Sequence, residues 1–299
     1  MSTTPAVSLH KLTKFYGKSR GIENISFDIA AGEVFGFLGP NGAGKTTAIR
    51  TLLGLIHATS GSAEILGQSA LTNNPELRSR IGYLPGALSL YKKYTAREFL
   101  AFFARMRNTN CDTAIENYSK RLGLDLDKKI GELSKGNRQK VGVVQAFMHQ
   151  PDVFFLDEPT GGLDPFAQRE FEGMLAEVKE RGAAVMLSSH VLSEVEHLAD
   201  RVAIISDGKL LVVDYISSLK DKAERSIDLY FDRPITTELF STIPGVKDVH
   251  VRSQMASCTI VGSENSLLKV AVDNGLTTVT THEPSLEAIF LSMVEGAEK

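Results

Sequence analysis

The chain has 299 residues, and 33 Lys and Arg stand against 36 Asp and Glu for a formal net charge of −3. Its 42% hydrophobic content is ordinary for a globular protein and excludes disordered and fibrous classes. A balance this near zero also argues against a dedicated nucleic-acid binder, which carries a strongly basic face.

No stretch approaches the roughly 18 consecutive apolar residues of a membrane span. Met1-Ser2-Thr3-Thr4-Pro5 lacks the charged start and apolar core of a signal peptide. The two cysteines, Cys111 and Cys258, lie far apart at no metal-ligand spacing and fit a reducing cytosol. These features predict a chain that is soluble by itself, so that any membrane role comes through a partner.

In chain order, Val7–Leu12 and Ile25–Ile29 alternate polar and apolar residues, the pattern of an antiparallel edge. Val34–Leu38 is a short apolar run suited to a strand buried on both faces of a mainly parallel sheet. It leads into Gly39-Pro40-Asn41-Gly42-Ala43-Gly44-Lys45-Thr46, which fits G-x-x-x-x-G-K-[ST], and then into a helix-prone stretch, Thr46–Leu55. A triphosphate is a dense anion that needs many N–H groups around it. Glycines permit the tight wrap, and a helix start adds unpaired N–H groups and a positive dipole end. Lys45 supplies a charge for the β- and γ-phosphates, and the Thr46 hydroxyl can ligate Mg²⁺. The candidate cradle is Gly39, Pro40, Asn41, Gly42, Ala43, Gly44, Lys45, Thr46 and Thr47.

Further on, the spacing predicts helices over Ala96–Met106 and Pro165–Lys179, and buried strands over Val153–Leu156, Ala184–Leu187 and Val202–Ile205. Buried strands alternating with helices indicate an α/β layered domain. Val153–Leu156 ends in Asp157 and Glu158, and functional groups gather at the carboxyl ends of parallel strands. Asp157 is therefore placed to hold Mg²⁺ and Glu158 to polarise a water for attack on the γ-phosphate.

A charged polar run, Lys220-Asp221-Lys222-Ala223-Glu224-Arg225, reads as a linker. Residues 1–220 carry 26 basic and 24 acidic side chains, and residues 221–299 carry 7 and 12, so the net charge passes from +2 to −5. The expected division is a domain over 1–220 and a small α+β domain over 221–299. In the tail, Ile227–Phe231, Val246–Val251, Cys258–Val261 and Thr277–Thr281 read as strands, and Thr236–Ser241 and Ser266–Asp273 as helices. The order β-α-β-β-α-β predicts a ferredoxin-like unit. A last helix, Ser285–Met293, follows Pro284 with Ser285 as its N-cap.

Several segments together resemble one family, the ATP-binding subunits of ABC transporters. Leu133-Ser134-Lys135-Gly136-Asn137 resembles the signature motif LSGGQ and begins 24 residues before Asp157. Gly162-Leu163-Asp164 resembles the D-loop, and Ser188-Ser189-His190 resembles the switch-histidine segment. Tyr16, in Leu12-Thr13-Lys14-Phe15-Tyr16-Gly17, resembles the aromatic that stacks on adenine.

The resemblance implies a P-loop NTPase (ABC ATPase) domain with an antiparallel β subdomain and a helical subdomain. It implies an ATPase that uses ATP and Mg²⁺, with Thr46 and Asp157 at the metal and Glu158 and His190 as catalytic residues. Ser134 and Gly136 would reach the γ-phosphate on the opposite subunit, with Asp164 at the interface between them. One P-loop and one signature imply a homodimer, or pairing with a homologue.

Leu90–Thr95 and the helix after it look like the segment that receives the membrane subunit's coupling helix, with Phe99, Leu100, Phe102 and Phe103 on that helix. Gly82-Tyr83-Leu84-Pro85 and Glu283-Pro284-Ser285-Leu286-Glu287-Ala288-Ile289-Phe290 are similar to the ABC-2 type drug and antibiotic exporter ATPases. The implied partner is an integral membrane permease on a separate chain. The implied place is cytoplasmic, on the inner face of the cell membrane, with no nucleic acid bound.

The sequence departs from the family at three positions. Gly86 stands where the Q-loop carries Gln, Lys135 replaces a signature Gly, and Asn137 replaces its Gln. Two other readings stay open at this point: a soluble ABC ATPase acting on DNA or ribosomes, and a nucleotide-gated regulatory module with weak hydrolysis.

Overall fold

The computed structural model describes residues 4–282 and 284–297; Met1–Thr3 of the segment read for a leader, and Glu283 of the exporter-like motif, lie outside the described residues. Two compact units divide the chain, Met1–Val213 and Asp214–Lys299.

The first unit runs β1 (Val7–Tyr16), β2 (Ser19–Ile29), β3 (Val34–Leu38), α1 (Lys45–Leu52), β4 (Ser60–Ile65), β5 (Gln68–Ser69), α2 (Pro75–Ser79), β6 (Ile81–Leu84), α3 (Ala96–Met106), α4 (Asp112–Leu122), α5 (Lys135–Phe147), β7 (Val153–Asp157), α6 (Pro165–Glu180), β8 (Ala184–Ser189), α7 (Leu192–Leu198), β9 (Arg201–Ser206) and β10 (Lys209–Tyr215), the last crossing the division. Its main sheet has the order β10-β9-β3-β8-β7-β6. β3 lies parallel to β8 and β9, and β7 parallel to β8 and β6. Every residue of β3, β7 and β8 is buried, which is why these strands are apolar up to the polar ends of β7 at Asp157 and of β8 at Ser188 and Ser189. A second sheet, β2-β1-β4-β5, is antiparallel throughout. Phe27 of β2 stacks on Phe35 of β3 at 4.8 Å between ring centroids and helps join the two sheets in one core.

Local chemistry sets the helix starts. Thr95 and Glu98 form a reciprocal capping box, so α3 begins at Ala96. Asp164 caps α6 through the Ala167 N–H at 2.9 Å, and Pro165 occupies the first turn.

The second unit runs α8 (Ile216–Lys222), β11 (Arg225–Phe231), α9 (Glu238–Ser241), β12 (Val246–Arg252), β13 (Met255–Ile260), α10 (Asn265–Asp273), β14 (Leu276–His282) and α11 (Leu286–Ala297). Its antiparallel sheet has the order β12-β13-β11-β14. Ile227, Leu229 and Phe231 alternate onto one face and pack with Ala256, Cys258, Ile260, Phe240 and Leu267. Among the described residues, no helix is long and apolar enough to cross a membrane.

The charged run read as a linker is not one. Asp214 accepts from the Tyr215 N–H at 2.8 Å, from Ser218 Oγ at 3.2 Å and from Lys222 Nζ at 2.7 Å. These pairings hold residues 216–222 as α8, and Arg225 already opens β11.

Candidate nucleotide site

β3 ends at Leu38, and the next turns bring the chain to Gly44, whose φ of 109° lies where side-chain-bearing residues are strained. A Cβ there would also stand 2.5 Å from the Gly21 carbonyl oxygen, so glycine alone fits. α1 then starts at Lys45 with its first N–H groups turned to the loop. Lys45 is 6% exposed, and its Nζ donates to the carbonyls of Gly39 at 2.6 Å and Pro40 at 3.2 Å. Burial pushes the Lys45 pKa down, and the nearby Glu158 and Asp157 carboxylates oppose that shift.

Tyr16, Pro40, Asn41, Gly42, Gly44, Lys45, Thr46, Thr47, Asp157 and Glu158 line one cavity of about 410 Å³. Gly39 stands behind its wall as the acceptor for Lys45, and Ala43 is buried. Gly86 is on the rim, and a Cβ added to it would lie 3.2 Å from Asp157 Oδ2. The position expected to carry Gln thus leaves a side chain little room beside the carboxylate.

Thr46 Oγ1 donates to Asp157 Oδ2 at 2.8 Å, and Ser188 Oγ donates to Asp157 Oδ1. Asp157 is 2% exposed, so these hydroxyls are what keep its charge satisfied. Glu158 follows with φ 54°, an unusual backbone for a non-glycine residue at the mouth of the cavity. Its Oε1 lies 3.9 Å from Lys45 Nζ, and its Oε2 accepts from His190 Nδ1 at 2.7 Å. His190, just past the end of β8, therefore reaches the cavity through Glu158 rather than by lining it.

The signature and D-loop residues form a separate group outside that cavity. Ser134 is the N-cap of α5, its Oγ accepting from the Asn137 N–H at 3.2 Å, so the helix begins at Lys135 rather than near Asn137 as expected. Gly136 abuts the D-loop, since a Cβ on it would meet the Gly162 carbonyl oxygen at 2.3 Å. Asp164 accepts from Lys140 Nζ at 2.8 Å, and that bond holds its pKa below the usual carboxylate range.

Three residues that matter here were not picked out from the sequence. Gln139 of α5 donates to the carbonyls of Glu158 and Pro159 and joins the signature helix to the carboxylate turn. Arg50 lines the cavity one helical turn beyond Thr46, a spacing that could have flagged it. Arg20 also lines it but arrives on β2, and no local signal predicts that.

Known proteins resemble this chain in sequence and in fold. The family described as ABC transporter matches residues 22–161. The bacitracin transport ATP-binding protein BcrA of Bacillus licheniformis is 36% identical over 293 residues, spanning 95% of this chain and 96% of that protein. The ABC transporter ATP-binding protein NatA of Bacillus subtilis is 36% identical over 218 residues, 71% of this chain and 88% of that one. A solved ATP-binding subunit of an ABC transporter superposes with a TM-score of 0.68 at 29% identity, over 73% of this chain and 92% of its own. The chain belongs to the ATP-binding subunits of ABC transporters, and its activity is that of an ATPase.

Proposed function

We propose that ATP enters the cavity with its phosphates against the loop from Gly39 to Thr46 and its adenine against Tyr16. Lys45 exchanges the Gly39 and Pro40 carbonyls for phosphate oxygens. Thr46 and Asp157 offer the oxygen donors that Mg²⁺ prefers, and a site with few protein ligands suits an ion completed by phosphates and water. When bound, Mg²⁺ supplies charge neutralisation at the phosphate oxygens. Glu158 takes a proton from the attacking water. The Nδ1–H of His190 holds that carboxylate in place, and a protonated ring would also offer its Nε2–H to the γ-phosphate.

Ser134, Gly136 and Asp164 stand outside the cavity of their own chain, which supports a dimer in which they serve the nucleotide of a second copy. Closure over ATP and opening after hydrolysis would then follow from different contacts with ATP and ADP. An integral membrane permease is the partner that closure drives. The groove of about 700 Å³ lined by Tyr91, Tyr94, Phe99 and Phe102 fits its coupling helix. Phe99 and Leu100 pack inward, whereas Phe102 is 45% exposed and free to take part. The chain's likeness to BcrA over nearly its whole length supports export of a drug or antibiotic. It also supports a place at the inner face of the membrane.

The observation that carries this reading is the run of contacts Thr46–Asp157 and Lys45–Glu158–His190 around one cavity. Its test is calorimetry on Lys45→Ala. Severe loss of ATP affinity is expected, and unchanged affinity refutes the cradle.

A further inference from the structure

The second unit has two sheet edges of opposite character. β12, at one edge, exposes Lys247, Asp248, His250 and Arg252, and its register slips between Lys247 and His250, where Asp248 has φ 49°. Charge and a bulge are what keep an edge from pairing with another chain. β14, at the other edge, carries no Lys, Arg, Asp or Glu, and its one register slip falls at its start, at Thr277, leaving Thr278–His282 regular. Its residues are Leu276-Thr277-Thr278-Val279-Thr280-Thr281-His282, rich in β-branched side chains. All but Leu276 are exposed.

The hydrogen-bonding direction of this edge follows from the strands inside it. The Phe231 N–H goes to the Gln254 carbonyl, so odd residues of β11 turn toward β13, and even ones toward β14. Tyr230, Asp228 and Ser226 pair with Thr278, Thr280 and His282, which therefore spend their backbone groups on β11. The N–H and C=O groups of Val279 and Thr281 point outward. Among the described residues no other segment takes them up.

Thr277-Thr278-Val279-Thr280-Thr281 reads the same in both directions. An antiparallel pairing of this strand with itself about a twofold axis at Val279 sets Val279 opposite Val279, Thr277 opposite Thr281, and Thr278 opposite Thr280. Outward Val279 then meets its own copy, Thr281 meets Thr277 at the register slip, Thr–Thr and Val–Val pairs are favourable, and no like charges face each other.

We propose that β14 pairs with β14 of a second copy of this chain, joining two four-stranded sheets into one. The pairing stands on the edge alone and needs no nucleotide. Its use rests on the reading above: a standing link between two copies raises the effective concentration at which their ATP-dependent faces meet.

The test uses the full chain without nucleotide. In a hydrogen-bonded antiparallel pair the Cα atoms lie about 5.5 Å apart, a span that a disulfide bridges. Val279→Cys should form a disulfide-linked dimer under mild oxidation. Wild type should not, since Cys111 and Cys258 are buried, nor should Lys247→Cys on the opposite edge. Combining Val279→Cys with Lys45→Ala should cross-link equally well, which separates this pairing from any failure at the cradle. In sedimentation equilibrium Val279→Lys should raise the dimer dissociation constant about tenfold or more. The cysteine variant decides if Val279→Lys loses its cooperative melt. Equal cross-linking at both edges, or a wild-type chain that stays monomeric at every concentration, overturns the proposal. So does a Val279→Lys variant that self-associates normally but no longer co-purifies with a permease, because the edge then serves another chain.

Discussion

Gln139 donates from Nε2 to the Pro159 carbonyl oxygen at 3.0 Å, and to that of Glu158 at 3.2 Å. It is 7% exposed and its bond to Pro159 is buried, whereas the Glu158 carbonyl also accepts from the Gly161 N–H at 3.3 Å. The bond joins the helix begun by Ser134 to the turn that holds Glu158 at φ 54°. Gln139→Leu takes its donor from the buried Pro159 carbonyl, at a cost of about 1–3 kcal/mol. The expected result is a lower melting temperature and reduced turnover, with ATP affinity by calorimetry retained. Turnover equal to wild type would remove Gln139 from the support of Glu158.

Glu158→Gln keeps the shape of the side chain and removes its capacity to take a proton. ATP hydrolysis should fall by about 10²–10⁴, while ATP binding persists because Lys45, Thr46 and the loop are untouched. A phosphate-release assay paired with calorimetry reads both quantities. Wild-type turnover in this variant would sink the base assignment.

The sequence announces elements best where one local rule decides them. Val34–Leu38 is buried on both faces, so the apolar run and the strand coincide. Thr95 and Glu98 form a cap within four residues, so the α3 start is written locally. β4 is different: four of the six residues of Ser60–Ile65 are exposed and it carries little apolar pattern, so pairing with β1 and β5 makes it a strand. α8 looks like a linker because Lys222 finds its partner, Asp214, before the run begins. The glycine-rich loop and the acidic pair are equally legible as motifs, because their chemistry needs adjacent residues. Gln139 is not, since its role exists only once α5 lies against a turn 19 residues further on. Gly86 is legible as a departure, but not the 3.2 Å that a Cβ there would leave to Asp157 Oδ2.

Gly136 and Ser134 share one turn yet should differ in their tolerance of alanine. A Cβ on Gly136 would lie 2.3 Å from the Gly162 carbonyl oxygen, a backbone atom that cannot swing aside. Gly136→Ala must part α5 from the D-loop, with a destabilisation of about 1–3 kcal/mol. Ser134→Ala removes an N-cap and should cost about 1 kcal/mol. Denaturant unfolding of the two variants ranks them. If Gly136→Ala is the milder change, the close packing of signature against D-loop is wrong.

His149 makes stability depend on pH in a definite window. Its Nε2–H donates to the Ile81 carbonyl at 3.1 Å, and burial first, with Arg107 adding to it, pushes the imidazole down to about 4 from an ordinary 6.5. Between these values the unfolded chain binds a proton that the folded chain refuses. The unfolded state therefore gains as pH falls, and stability is full above about pH 6.5, declines toward pH 4 and levels below it. The shift corresponds to about 3 kcal/mol across the window. Carboxylates titrate over its lower part, so the informative quantity is the difference between wild type and His149→Gln. The variant should be less stable at pH 7, where it loses the bond to Ile81, and the gap should close as pH is lowered through 6 and 5. A gap that stays constant across that range would show that His149 is not held neutral by its surroundings.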